Sequence, residues 1–271
     1  MDSLRSVRQW PVERAAVAVV DARGVVLGSH GAQDQPFPLA SLTKLLSAYA
    51  VLLAVQEGAV DFDQPAGPPG ATVRHLLAHA SGLAFDTTRA LEAPGTARMY
   101  SNAGFSVLAD VVASSSGIRF ADYLAEAVFE PLGMSSSHLA GSAGAGAVST
   151  CADLACFAAE LQAPTLLVPQ LLAETTQVAY PGLDGVLPGY GMQRPNDWGL
   201  GFELRGRKSP HWTGARNSPA TFGHFGQSGT FLWVDPAAGA ACIALTTRDF
   251  GPWAREAWPP FSDAVLAELR P

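Results

Sequence analysis

The sequence predicts an α/β (α+β) fold: one antiparallel sheet built from both chain ends, flanked by helices, with an inserted, mostly helical lobe. Three observations lead there. Short apolar runs bounded by turn residues occur near the amino terminus (15–20 and 25–28) and again in the last third (222–226, 230–234 and 240–246). Between them, from 61 to about 190, the pattern is one of helices and loops. The chain has 271 residues, 48% hydrophobic and 15% charged, enough for one generous core or for two lobes sharing a cleft. We place the sheet-bearing lobe at 1–60 and 185–271 and the helical lobe at 61–184. A cleft at their junction is the natural place for small-molecule chemistry.

Taken in order, residues 1–11 predict a short helix ended by Pro11. Residues 15–20 are a strand, 21–24 a turn, and 25–28 the returning strand of a hairpin. Pro36 and Pro38 keep the next stretch extended. The run 45–55 is apolar nearly all round and stops at Gly58, which predicts a buried helix with a glycine end. Segment 65–70 is a Pro/Gly loop, 73–79 a short helix closed by Ser81-Gly82, and 103–115 a helix stopping at Gly117. Residues 120–129 form a helix ended by Pro131, and 141–146 a loop. The helix at 150–161 has Ser149 or Thr150 as its cap and Asp153 in its first turn, and 166–175 adds another. Residues 181–197, rich in glycine and proline at their start, read as a long surface loop. Strands at 198–204, 222–226, 230–234 and 240–246 follow, the last two joined by a hairpin loop at 235–239. A helix at 255–269 closes the chain. The tryptophans 198, 212, 253 and 258 read as core or loop anchors, Trp212 being the one placed to line a cleft.

Charge and composition exclude several classes. The net charge of −7 and the lack of any Lys/Arg run argue against nucleic-acid and anionic-membrane partners. The longest apolar run is too short to span a bilayer and the first is too short for a secretory core, so we expect a cytoplasmic protein, monomeric by default. Cys151, Cys156 and Cys242 have no zinc spacing and read as small buried residues in a reducing compartment. His75 and His79 are spaced like zinc ligands, but Leu76 stands where a metalloprotease has its Glu, so packing or supporting hydrogen bonds are expected of them. No nucleotide-binding glycine motif and no G-x-S-x-G elbow occurs. Neither a metal nor a cofactor is expected.

The chemistry centres on Ser41-Leu42-Thr43-Lys44. Residues three apart on a helix share a face, so the hydroxyl and the amine can meet. Two lysines, Lys44 and Lys208, stand against fifteen arginines. A lysine placed beside a serine in apolar surroundings can lose its proton, which an arginine cannot. A serine hydroxyl needs such a base to become a nucleophile. Tyr100, just before a predicted helix, and His224, on a predicted strand, are further candidate partners. At the head of its helix Ser41 also sits at a positive dipole end.

Ser41-Leu42-Thr43-Lys44, Tyr100-Ser101-Asn102 and His224-Phe225-Gly226 resemble, in order, the S-x-x-K, Y-x-N and K-T-G-like motifs of the serine β-lactamase and penicillin-binding-protein superfamily. The Tyr-x-Asn form, the stretch 74–83 and Gly226-Gln227-Ser228-Gly229-Thr230 are similar to its class C and esterase-type branch. The resemblance covers about 15–248 and implies a β-lactamase-like fold. It implies that Ser41 is acylated, that Lys44 and Tyr100 relay protons, with Tyr100 the base for the deacylating water, and that Asn102 bonds the substrate. It further implies an oxyanion hole from the Ser41 and Gln227 N–H groups, worth roughly 3–4 kcal/mol per donor in other enzymes, and a strand kept open to substrate by Gly226. His224 stands where the family usually has Lys, and Phe225 where it has a hydroxyl. Neutral His carries no charge and Phe offers no donor, so a less anionic ester or amide is expected, unless Arg216 or Arg248 restores positive charge. The alternative is a catalytically idle relative that binds a ligand or partner protein in the same cleft.

Overall fold

The computed structural model describes residues 1–269. A 3-10 helix, Ser3–Gln9, precedes the hairpin of β1 (Ala15–Asp21) and β2 (Val26–His30). Then come β3 (Phe37–Pro38), a 3-10 turn at Ala40–Leu42 and α1 (Thr43–Gln56). The middle of the chain forms α2 (Val73–Leu77), α3 (Asn102–Ser116) and α4 (Phe120–Leu124), the last running into a π-helical turn at Ala125–Phe129. It continues through β4 (His138–Leu139), β5 (Ala147–Ser149), α5 (Cys151–Glu160) and α6 (Pro169–Thr175). The last third holds β6 (Gly185–Leu187), β7 (Gly191–Gln193), β8 (Glu203–Leu204), β9 (Phe222–Gly226), β10 (Thr230–Asp235), β11 (Ala240–Thr246) and α7 (Pro252–Leu269).

The main sheet has six strands in the order β2-β1-β11-β10-β9-β8, with every pair antiparallel. Ala15 faces Thr246 and Asp21 faces Ala240, so the first strand closes against the last. Side chains alternate between the two faces, and both faces are buried along β1, β9, β10 and β11, while the edge strand β2 is largely exposed. Ala16, Ala18, Val20, Leu232, Ile243 and Leu245 join a core with α1 and the helices of the middle segment. Val17, Val19, Phe231, Trp233, Cys242 and Ala244 join a second core with α7 and the amino-terminal 3-10 helix. Full burial of one such Val, Leu or Phe side chain contributes roughly 1.5–3 kcal/mol. The strands therefore sit between two helical layers.

Helix α1 is buried from Thr43 to Ala54, as its apolar circumference predicts, and the chain turns away at Gly58 in a left-handed conformation (φ 75°). Ser101 and Thr150 cap α3 and α5, their hydroxyls accepting from Gly104 N and Asp153 N. Gly117 (φ 75°) ends α3.

Several expectations need correction. Segment 181–197 is not all loop: β6 and β7, three residues each, form a hairpin within it, too short for alternation to stand out against its glycines and prolines. The strand expected over 198–204 is confined to Glu203–Leu204. A small sheet, β3-β5-β4, was not foreseen, because pairs of two residues carry no period. Cys151 and Cys242 are buried, but Cys156 is exposed on α5. Among the described residues no helix is long and apolar enough to cross a membrane.

Candidate active site

The hydroxyl of Ser41 lies in the 3-10 turn just ahead of α1, at the second of its three residues. The turn is held from both sides. Leu39 N donates to Ala147 O (2.9 Å) on one side, while Thr230 Oγ1 donates to Leu39 O (2.9 Å) and Ser228 Oγ to Pro38 O (2.7 Å) on the other. Thr43 Oγ1 accepts from Ala147 N (3.0 Å). Ala40, directly before the serine, has φ 46°, a left-handed conformation that costs a non-glycine residue about 1–3 kcal/mol. The surrounding hydrogen bonds hold it there.

One turn on, Lys44 is wholly buried. Its Nζ lies 3.4 Å from Ser41 Oγ, 2.6 Å from Asn102 Oδ1 and 2.7 Å from Gly144 O. It also sits over the Tyr100 ring, 4.7 Å from the centroid. Burial lowers its pKa to about 7, with Asp86 pulling weakly the other way. A neutral amine has two N–H groups and one lone pair. Asn102 and Gly144 take the two hydrogens, which leaves the lone pair for the serine hydroxyl.

Tyr100 and Asn102 are placed by the cap between them. Ser101 Oγ caps α3 and donates to Ala84 O (2.6 Å), and Ser101 N donates to His79 Nδ1 (3.2 Å). Asn102, expected to contact substrate, is engaged at both ends of its amide, by Lys44 and by Asp86 Oδ1 (2.9 Å). Burial pushes the Tyr100 phenol well above its ordinary range, and its interaction with the Ser41 hydroxyl opposes the shift. The phenol is therefore neutral at rest. Its ring packs against His79 (4.6 Å), His224 (5.6 Å), Phe85 and Trp198 (both 5.9 Å).

His224, on β9, is buried and points to the Tyr100 side, whereas Phe225 points into the α7 core. Nδ1–H donates to Phe225 O (2.5 Å), so Nε2 presents a lone pair, and it has no partner among the described residues. Burial lowers its pKa to about 3, helped by the Lys44 charge. Arg248, a candidate replacement cation, is turned to Pro11 O (2.6 Å). Trp212 does not line the cleft: it is buried, and its Nε1 donates to Glu203 Oε2 (2.9 Å).

Gly226 has a packing use beside the one expected. A Cβ there would meet Leu39 O at 2.2 Å and Thr230 Oγ1 at 2.5 Å. The missing side chain thus lets β9 approach the serine turn. Gly226→Ala is expected to destabilise by about 1–3 kcal/mol, the scale of overpacking, and to displace Ser41. Melting temperature and ester turnover should fall together. Gln227 is exposed and holds Phe250, accepting from its N–H (2.7 Å) and donating to its carbonyl (3.2 Å).

Four participants carried no signal in the sequence reading: Asp86, the Gly144 carbonyl, Phe85, and the buried Glu203–Lys208–His211 group beneath Trp198. Among the described residues no His, Cys, Asp and Glu side chains are grouped to hold a metal ion.

Comparison with known proteins identifies the family and the fold. A crystal structure of a beta-lactamase from Mycobacterium bovis is 59% identical, covers 98% of this chain and 99% of its own, and superposes with a TM-score of 0.97. Simvastatin synthase (LovD) from Aspergillus terreus shares the fold at a TM-score of 0.84, with 17% identity over 99% of this chain and 97% of its own. Penicillin-binding protein 4* of Bacillus subtilis is 28% identical over 136 residues, which are 38% of this chain and only 30% of that protein. The Beta-lactamase family model matches residues 12–267, nearly the whole chain. The fold, the ordered Ser-Lys, Tyr and His elements and these matches agree: the chain belongs to the Beta-lactamase family of serine hydrolases.

Proposed function

We propose that this protein hydrolyses an ester or amide through an acyl-enzyme on Ser41. The observation that carries the reading is Lys44: buried, brought to a pKa of about 7, and hydrogen bonded so that its lone pair is left for Ser41 Oγ. Lys44 Nζ takes the hydroxyl proton as Oγ bonds to the carbonyl carbon. The carbonyl oxygen becomes an oxyanion held by the Ser41 and Gln227 N–H groups. Tyr100, neutral at rest, passes a proton to the leaving group, which departs as the carbonyl re-forms. Water then attacks the acyl-enzyme, losing its proton to the Tyr100–Lys44 relay, and releases the acid with Ser41 restored.

The substrate is one without a carboxylate beside the scissile bond. Burial keeps His224 neutral, and its free Nε2 accepts hydrogen bonds. A buried lysine one turn from the serine also speaks against an idle relative, in which nothing would maintain so unfavourable an ammonium position.

A fluorophosphonate probe is expected to label the protein once, with the adduct mapped to Ser41 by mass spectrometry, alongside turnover of a nitrophenyl ester. Labelling at another serine, or neither labelling nor turnover, would sink the proposal.

A further inference from the structure

Asp86 belongs to none of the sequence motifs, and its side chain is exposed at the rim of the site. Its position is nevertheless fixed. Phe85 O accepts from Asn102 N (2.7 Å) and Ala103 N (3.1 Å), and Ala84 O accepts from Ser101 Oγ, so this short segment is tied to the start of α3. The Asp86 carboxylate thereby meets Asn102 Nδ2 at 2.9 Å. From there the chain of contacts runs through Asn102 Oδ1 to Lys44 Nζ (2.6 Å) and on to Ser41 Oγ (3.4 Å).

An asparagine amide can turn either end to its neighbour. With the NH2 end towards Lys44, the amide would donate to the amine's lone pair and take it from the serine hydroxyl. A carboxylate can only accept, so Asp86 selects the orientation in which Oδ1 faces Lys44. We propose that Asp86 is a positioning residue for the reaction at Ser41, locking the Asn102 amide and placing a negative charge two hydrogen bonds from Lys44.

Other groups around Lys44 do not duplicate that charge. The loop at 141–146 offers the Gly144 carbonyl, and α3 offers Asn102 and the Phe105 ring. The segment before α3 offers the face of Tyr100. His79, beyond α2, and His224, on β9, are both held neutral by burial. Asp86 opposes the effect of burial on Lys44, so removing its charge lets the amine lose its proton at lower pH.

The inference rests on the hydrolytic reading of the site, and its test separates the two. Asp86→Asn keeps an acceptor for Asn102 but drops the charge. The acid limb of kcat/KM for a nitrophenyl butyrate should move down by about half a pH unit or more. Asp86→Ala removes the acceptor as well. Here kcat should also fall about tenfold, the scale of one lost hydrogen bond in a working site, with KM changed little, and Asp86→Glu should recover part of it. An acid limb that stays in place in both the Asn and Ala variants overturns the proposal.

If the wild-type protein neither turns over esters nor labels at Ser41, the hydrolytic reading fails by itself. The positioning role is then read from 15N-lysine NMR, which has only Lys44 and Lys208 to resolve. A lower Lys44 midpoint in Asp86→Asn supports it, and an unchanged midpoint overturns it.

Discussion

Lys44→Arg is expected to lower nitrophenyl ester turnover at least a hundredfold, about the least that a positioned general base contributes. The substitution keeps a positive charge beside Ser41 and keeps donors for Asn102 Oδ1 and Gly144 O, the two acceptors now 2.6 and 2.7 Å from Nζ. What it removes is the lone pair, because a guanidinium does not deprotonate in a protein. The pH profile carries the same prediction. The wild-type pKa of about 7 means that kcat/KM should rise with pH through that region and level off above it, as Lys44 passes to the free amine. In Lys44→Arg that step should vanish. A variant that keeps full turnover, or keeps the step near 7, would remove Lys44 from the proton relay. Fluorophosphonate labelling of Ser41 should slow in parallel while the melting temperature holds, which separates loss of the base from loss of the fold.

Glu203→Gln is expected to destabilise the protein by about 3–5 kcal/mol, the usual result of removing one partner from a buried ionic group. Glu203 is fully enclosed and accepts from Lys208 Nζ, from His211 Nε2 (3.0 Å) and from Trp212 Nε1 (2.9 Å). A neutral amide can still accept from Lys208 Nζ, but it removes the buried countercharge of that ammonium, whose other hydrogen-bond partner is the Asp197 carbonyl (2.7 Å). Burial pushes the Glu203 carboxyl up, but Lys208 and His211 pull harder and bring it to about 2 from 4.5. Its contribution is therefore complete above about pH 4.5 and fades as pH falls towards 2. Urea unfolding at pH 7 and at pH 3 should show the wild-type advantage shrinking at the lower value. A difference under 1 kcal/mol at pH 7 would show the group to be dispensable. Glu203 pairs with Gly223, next to His224, and Lys208 lies 5.8 Å from the centroid of Trp198, against which Tyr100 and His224 pack. Loss of the group should therefore loosen the site as well.

What was legible in the sequence was whatever has a period or a fixed spacing. Strands β1, β9, β10 and β11 and helix α1 announce themselves by apolar patterning, and Ser41, Lys44, Tyr100, Asn102 and His224 by their ordered motifs. Elements of two or three residues, such as β3, β4 and β5, have no period to read. Asp86 and Glu203 escaped for another reason: an isolated carboxylate looks solvated until its partners are known. Those partners lie 16 positions away for Asp86 and within nine positions, across a folded-back loop, for Glu203. The packing role of Gly226 was not legible because its neighbour, Leu39, is distant in the chain.

The clamp on the serine turn has a consequence for synthesis. Pro38 and Leu39 are held by hydroxyls of Ser228 and Thr230, some 190 residues later, and β1, paired early with β2, finds its second partner only when β11 has been made. Contacts so far apart in the chain close slowly and late. A ribosome that has translated only the first two hundred residues therefore carries a serine turn that can be held from the Ala147 side alone. The second half of the clamp around Ser41 is in this way deferred until residues 228–230 have been made.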